Sequence, residues 1–223
     1  MLSATASDPP PGSARLPAQA AARAPIRTLG PDDRPAILQH LLALGERDRY
    51  LRFGFAAQDE HIRRYVEGLR FGLDEVFGIF NRRLQLIAMA HLAYMVRPGQ
   101  GSDAAEFGVS VSAHARGRGY GQRLFARALL HARNHGVRWL YIHALSENAP
   151  MLHIARKAGA LVVQQAGESE CHLELPPADF DSQWSELLQE ELARVDYRFK
   201  ALRAWGWRWG RRLLGWLGAR LGR

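Results

Sequence analysis

Cysteine is nearly missing: Cys171 is the single one among 223 residues. One thiol closes no disulfide within the chain and builds no multi-cysteine zinc site, which suits a reducing cytoplasm. The nine histidines are scattered without H-E-x-x-H or a comparable ligand spacing, so no metal site is expected. No apolar run approaches the roughly 20 residues that a membrane span requires, and residues 1–24 lack the continuous apolar stretch of a secretory signal. Together these lacks make a soluble cytoplasmic protein the expectation. Two further absences are local. Residues 1–24 are rich in Ala, Pro and Ser with almost no large apolar side chains, so they bury too little to offset their ordering entropy and are expected to be disordered. Acids are missing from 197–223, which holds Arg198, Lys200, Arg203, Arg208, Arg211, Arg212, Arg220 and Arg223. These eight account for the whole net charge of +8, because the other 22 basic residues are balanced by 22 acids.

The apolar fraction is that of a globular chain, and the length fits one domain with appendages. Three segments are expected: a disordered tail at 1–24, a folded domain at 25–176, and a helical extension at 177–223. Within the domain, 25–29 reads as a strand, ended by Gly30-Pro31. Asp32 or Asp33 then caps a helix with Ile37, Leu38, Leu41, Leu42 and Leu44 at helical spacing, ended by Gly45. The segment 46–53, charged and aromatic together, reads either as a surface turn with aromatic anchors or as the edge of an acceptor groove. A second helix is predicted over 59–69, with Ile62, Tyr65, Val66 and Leu69 inward. Val76 to Phe80 and Leu84 to Val96 read as a hairpin, its second strand apolar enough at 86–90 to be buried on both faces.

The chain is organised around 106–121. Phe107, Val109 and Val111 alternate with Gly108, Ser110 and Ser112 as in a strand, the run breaks into Arg116-Gly117-Arg118-Gly119-Tyr120-Gly121, and a helical pattern through Leu124, Ala128, Leu129 and Ala132 follows. Glycines let the backbone turn tightly, and the unpaired N–H groups of a first helical turn favour an anion, so the stretch reads as a phosphate cradle. It contains neither G-x-G-x-x-G nor G-x-x-x-x-G-K-[ST], the dinucleotide and P-loop strings. Gly136 signals the end of that helix. A strand over 137–144, a helix after Ser146-Glu147-Asn148 carrying Met151, Leu152, Ile154, Ala155 and Ala158, and strands at 161–163 and 171–175 complete the domain.

The cradle resembles the acetyl-CoA pyrophosphate loop of the GNAT family of N-acetyltransferases, [QR]-x-x-G-x-[GA]. The order β-α-α-β-β-β-α-β-α-β-β is similar to the topology of that family from about Pro25 to Leu175. A second family signature, N-x-x-A/M-x-x-x-Y-x-K-x-G-F, is matched at Asn148, Met151, Lys157 and Gly159, while Ala155 and Ala160 stand where the family has Tyr and Phe. The segment 46–53 is also similar to an element of bacterial protein-lysine acetyltransferases. The resemblance implies an α/β GNAT fold: a mixed, mostly antiparallel sheet flanked by helices, with the C-terminal amphipathic helical extension added to it. It further implies acetyl-CoA as co-substrate, contacted by Val109, Val111, Arg116, Gly117, Arg118, Gly119, Tyr120, Gly121 and Asn148, with an oxyanion contact on a main-chain N–H near Val109. One of Arg116 and Arg118 is expected to be simply solvated.

Glu106 is the expected general base. It begins the strand, where a side chain can face the cleft, and matches the glutamate of the family pattern A-E-F/L-x-x-x-V. A partly desolvated pocket would raise its pKa to a useful value. Ala155 removes the hydroxyl that many members use to protonate the thiolate. Ser146, Tyr120 and His153 are the candidates to replace it, against plainer roles as helix cap, turn packing and helix surface. A thiolate is also a fair leaving group unaided.

From Phe180 onward, Trp184, Leu188, Leu192, Val195, Phe199 and Leu202 recur at steps of three and four, an amphipathic helix. Beyond it Trp205, Trp209, Leu213 and Trp216 share one helical face and interleave along the sequence with Arg208, Arg211 and Arg212. Contact of 197–223 with a membrane surface at the inner leaflet is the first reading, a homo-oligomer or partner contact the second, and nucleic acid the least favoured. The expected activity is acetyl transfer from acetyl-CoA to a primary amine in a ternary complex, with a protein lysine or N-terminal amine as the favoured acceptor. A small-molecule amine and a non-catalytic acyl-CoA-binding sensor or tethering module are the alternatives.

Overall fold

The computed structural model describes residues 24–95, 103–165, 167–179 and Glu186. The strands are β1 (Ile26–Thr28), β2 (Glu75–Phe80), β3 (Leu86–Tyr94), β4 (Ala104–Val111), β5 (Trp139–Leu145), β6 (Leu161–Gln165) and β7 (Glu168–Glu174). The helices are α1 (Arg34–Leu42), α2 (Glu46–Phe53), α3 (Asp59–Glu67), α4 (Tyr120–Asn134) and α5 (Ala149–Lys157), with a 3-10 turn at Pro31–Asp33 before α1. One seven-stranded sheet runs β1-β2-β3-β4-β5-β7-β6. Its pairs are antiparallel except β4 with β5.

Strand alternation sorts the sheet into two apolar layers. Phe107 of β4, Ala88, Ala90 and Leu92 of β3, and Leu140 and Ile142 of β5 pack with Leu124, Phe125 and Ala128 of α4 and Met151, Leu152 and Ala155 of α5. On the other face Val76, Phe80, Leu86 and Met89 pack with Ile37 and Leu41 of α1 and Ile62 and Val66 of α3. The expected two-sided burial of β3 is present, since all of Leu86, Ile87, Ala88, Met89 and Ala90 are buried.

Two local expectations are corrected. The surface turn read at 46–53 is instead the helix α2. Its chain ends in a left-handed Gly54 at φ +81°, whose N–H donates to the Tyr50 carbonyl at 2.9 Å. Arg49 fixes its position by donating to the carbonyls of Leu42 (2.7 Å) and Leu44 (3.0 Å), and so satisfies acceptors at the end of α1 that have no helical partner. Asp33 does not cap α1. Its Oδ2 instead accepts from the Gly30 N–H at 3.0 Å, and its carboxylate pairs with Arg27.

The N-terminal tail and the amphipathic and Trp/Arg segments of 180–223 lie outside the described residues, except at Glu186. That carboxylate is buried against α4, where Arg127 Nη1 (2.7 Å), His131 Nδ1 (2.5 Å) and Asn134 Nδ2 donate to it. Burial opposes its charge, but the bonds from His131, Asn134 and Arg127 outweigh that and bring its pKa down to about 2. Glu186→Gln is therefore expected to destabilise the protein by about 1.5–3 kcal/mol, the cost of a charge-assisted bond. Urea midpoints at neutral pH measure this, and an unchanged midpoint would show that the carboxylate does not hold the segment to α4.

Candidate active site

The site is made by a failure of pairing. β4 and β5 are joined only at Ala104 with Trp139, Ala105 with Leu140 and Glu106 with Tyr141. Past Glu106, β4 stays with β3 and β5 stays with β7, so the two strands separate. The even-numbered residues of β4 exchange hydrogen bonds with β3, as the Ser112 N–H to Ile87 carbonyl bond of 2.9 Å shows at its end. By the antiparallel alternation, the N–H groups of Val109 and Val111 then face the opening, where no strand pairs with them.

The opening is a cleft of about 850 Å³. Its walls are the end of α2 (Leu51 to Gly54), β4 from Glu106 to Val109, and β5 from Ile142 to Leu145. Asn148 and Met151 of α5, with Val163, Ser169 and Glu170, complete it. At the start of α4, Gly117 and Gly119 both have φ +73°, a conformation that disfavours a Cβ. No side chain caps the first turn of α4, which leaves its N–H groups available to an anion.

The sequence-predicted residues divide as follows. Glu106, Val109 and Asn148 line the cleft. Gly117, Gly119 and Gly121 form the turn and first residues of α4, and Val111 packs on the α4 side of the sheet. Tyr120 packs on the same core and lies under Arg123, whose Cζ is 5.9 Å from the ring centre. Arg116 is tied to Asp48 of α2, and Arg118 is exposed. Asn148 has two bonds of its own: its Oδ1 accepts from the Met151 N–H at 3.3 Å, capping α5, and its Nδ2 donates to the Leu51 carbonyl of α2 at 3.3 Å. Glu106 is exposed, not partly desolvated as expected: among the described residues, α1 and α3 cover the β1–β4 half of that face and no helix covers the β5-β7-β6 half. On that second half, Leu161 is 68% and Val163 47% exposed.

The candidates to replace the missing hydroxyl at Ala155 fare unevenly. Ala155 is fully buried in the core between α5 and the sheet. Ser146 is not the helix cap, a role held by Asn148; its Oγ meets the Ser169 Oγ at 3.0 Å. His153 is exposed on α5.

Sequence reasoning missed several residues beside the cleft. His143 lines it, two residues beyond Tyr141 and so on the same sheet face as Glu106. Arg52, by contrast, belongs to the segment 46–53 that the sequence offered as the edge of an acceptor groove; it also lines the cleft, and behind it runs a partly buried polar chain. Arg52 Nη2 donates to the Tyr65 hydroxyl at 2.8 Å, that hydroxyl donates to His91 Nδ1 at 2.9 Å, and His91 Nε2 faces Asp74 Oδ2 at 3.5 Å. Asp74 is held in turn by Arg70 at 2.7 and 3.0 Å. Burial raises the Tyr65 pKa, and burial followed by the Arg52 charge lowers that of His91 to about 4, so both are neutral in the fold. No spacing in the sequence joins residues of α2, α3, β3 and the turn before β2.

Among the described residues, His131, His135 and Glu186 bring ligand-type atoms within 4.8 Å of one another. The Glu186 oxygen nearest His131 is already shared with the guanidinium of Arg127, a fixed positive charge that competes with any cation there. None of the described helices is long and apolar enough to cross a membrane.

The GNAT domain of S. lividans PAT superposes with a TM-score of 0.57 at 19% identity, over 67% of this chain and 89% of that one. A GCN5-related N-acetyltransferase from Kribbella flavida gives 0.54 at 21%, over 67% and 96%. A ribosomal-protein-alanine N-acetyltransferase from Brucella melitensis gives 0.50 at 21%, over 67% and 99%. At these identities the likeness is one of fold. No curated protein sequence matches significantly. The sequence model of the acetyltransferase (GNAT) domain, however, matches residues 23–161, well over half of the chain. A match of that extent reaches beyond fold to kinship: the chain belongs to the GNAT acetyltransferase family, acyltransferases that carry an acyl group from acyl-CoA to an amine.

Proposed function

We propose that the protein acetylates a primary amine of another protein, a lysine side chain or an N-terminus, taking the acetyl group from acetyl-CoA by direct transfer. The observation that carries this reading is the parting of β4 from β5 at Glu106. It puts a carboxylate and unpaired main-chain N–H groups at one opening.

The residues present fit the co-substrate. The left-handed turn at Gly117 and Gly119 and the uncapped first turn of α4 suit its pyrophosphate, and the free edges of β4 and β5 suit an extended amide arm. When bound, it supplies the activated acetyl thioester. Glu106 takes the proton that the amine loses as its nitrogen forms a bond to the acetyl carbon and the carbon–sulfur bond breaks. The Val109 N–H donates to the acetyl oxygen as charge develops there. The thiolate leaves without an acid at position 155, where the side chain is a methyl group. The exposure of Leu161 and Val163 on the β5-β7-β6 face favours a macromolecular acceptor, since a peptide segment can lie along it.

The test is CoA release from acetyl-CoA over a panel of lysine peptides, N-terminal peptides and small amines. Turnover is expected on the peptides. Turnover confined to small amines would overturn the choice of acceptor and leave the chemistry standing.

A further inference from the structure

Arg52 stands out among the cleft residues because none of the described carboxylates forms an ion pair with it. Its guanidinium lies flat on the backbone of β4: a Cβ at Gly108 would fall 2.7 Å from each of Arg52 Cζ, Nη1 and Nη2. The rings of Phe53 and Tyr65 flank it at 5.3 and 5.4 Å, and the Tyr65 hydroxyl takes one of its five N–H groups. Its Nε is buried with no acceptor, and among the described residues no carboxylate oxygen lies within 4 Å of it. A partly desolvated cation without a counter-ion is costly, and it is held here by a chain of three side chains, Tyr65, His91 and Asp74. The cleft it faces also holds Glu106 and Glu170, so cationic and anionic groups line the same opening.

We infer that Arg52 is a specificity-determining residue that receives a carboxylate carried by the acceptor close to its reacting amine. The inference rests on the acyl-transfer reading and adds to it the chemical class of the acceptor. Gly108 is two residues from Glu106 on the same face of β4, about 7 Å along the strand. An amine giving its proton to Glu106 thus places a neighbouring carboxylate, a few bonds away, over the exposed edge of the guanidinium. Arginine suits this task because its planar fork meets a carboxylate with two N–H donors. The ligand chemistry has two sources, a free amino acid or an acidic side chain beside the acceptor amine of a peptide.

The test measures kcat and KM with acetyl-CoA for two acceptor pairs. One is a lysine peptide with glutamate beside the lysine and its glutamine counterpart; the other is alanine and alaninamide. The wild type is expected to favour the carboxylate member of one pair by about 10–100-fold in kcat/KM, mostly through KM, the range of one charge-assisted contact. The pair that shows the preference identifies the source. Arg52→Gln should bring the ratio close to one, and Arg52→Lys should restore part of it. Gly108→Ala, which displaces the guanidinium without removing it, should lower the ratio in a chain whose Arg52 is intact. Turnover with no carboxylate preference in either pair, or a preference that survives Arg52→Gln, would overturn the inference alone. Binding of acetyl-CoA with no turnover on any acceptor would overturn the acyl-transfer reading and the inference with it.

Discussion

Glu106→Gln is expected to lower kcat by about 10²- to 10⁴-fold, the usual contribution of a positioned general base, while the dissociation constant of acetyl-CoA stays within about threefold of wild type. The substitution keeps the size of the side chain and removes only its capacity to take a proton. Glu106 is the last β4 residue paired with β5, so its backbone is held on both sides by Ala93 and Tyr141 while its side chain is exposed at the opening. A rigid mount of this kind makes the amide variant a clean comparison. Single-turnover rates and calorimetric binding of acetyl-CoA separate chemistry from affinity. Full activity in the variant would remove Glu106 as the base.

A second large effect is expected on acidification. His40 is buried and His91 largely so, and burial first of all, with the Arg52 charge acting in the same direction, lowers each pKa from 6.5 to about 4. Neutral His40 uses both nitrogens: Nδ1 donates to the Leu86 carbonyl at 3.2 Å, and Nε2 accepts from the Ser110 hydroxyl at 2.9 Å. Ser112 and His114 also face it. His91 lies among Tyr65, Asp74, Arg70 and Arg52. In the unfolded chain these rings take a proton below about 6.5, but in the fold only near 4. The unfolded state therefore binds more protons across that window, and stability, complete above about 6.5, is lost as pH falls toward 4. At about 1.4 kcal/mol per pKa unit, each ring accounts for roughly 3 kcal/mol. Two such terms are comparable to the whole stability of an ordinary domain, about 5–15 kcal/mol. Urea midpoints at pH 7, 5.5 and 4.5 should fall steadily, and a flat profile would show that the rings are not held neutral.

Much of the fold was legible because its signals are local. Alternation marked β4, helical spacing marked α1, α3, α4 and α5, and glycines such as Gly136 and Gly159, both left-handed, marked helix ends. Helix α2 was not legible, because Tyr50, Leu51 and Phe53 give it no buried stripe and its position comes from Arg49 reaching the carbonyls of α1. At the site, the glycine turn, Glu106 and Asn148 sit in motifs that can be read from spacing. Arg52, Tyr65, His91 and Asp74 meet only through tertiary packing, and nothing in their separation along the chain announces it. Glu186 is the opposite case: it lies off the apolar stripe drawn through Trp184 and Leu188, yet it is buried on α4, because Arg127, His131 and Asn134 give it a polar site.

Besides the bonds of Arg49 to α1 and of Arg52 to Tyr65, α2 makes three attachments around the cleft. Asp48 holds Arg116 beside the glycine turn, the Leu51 carbonyl holds Asn148 at the start of α5, and Arg52 rests on β4. The helix therefore works as a common bracket for parts that would otherwise be positioned independently. A tilt of that bracket would move the glycine turn, the cap of α5 and the cation in the cleft together.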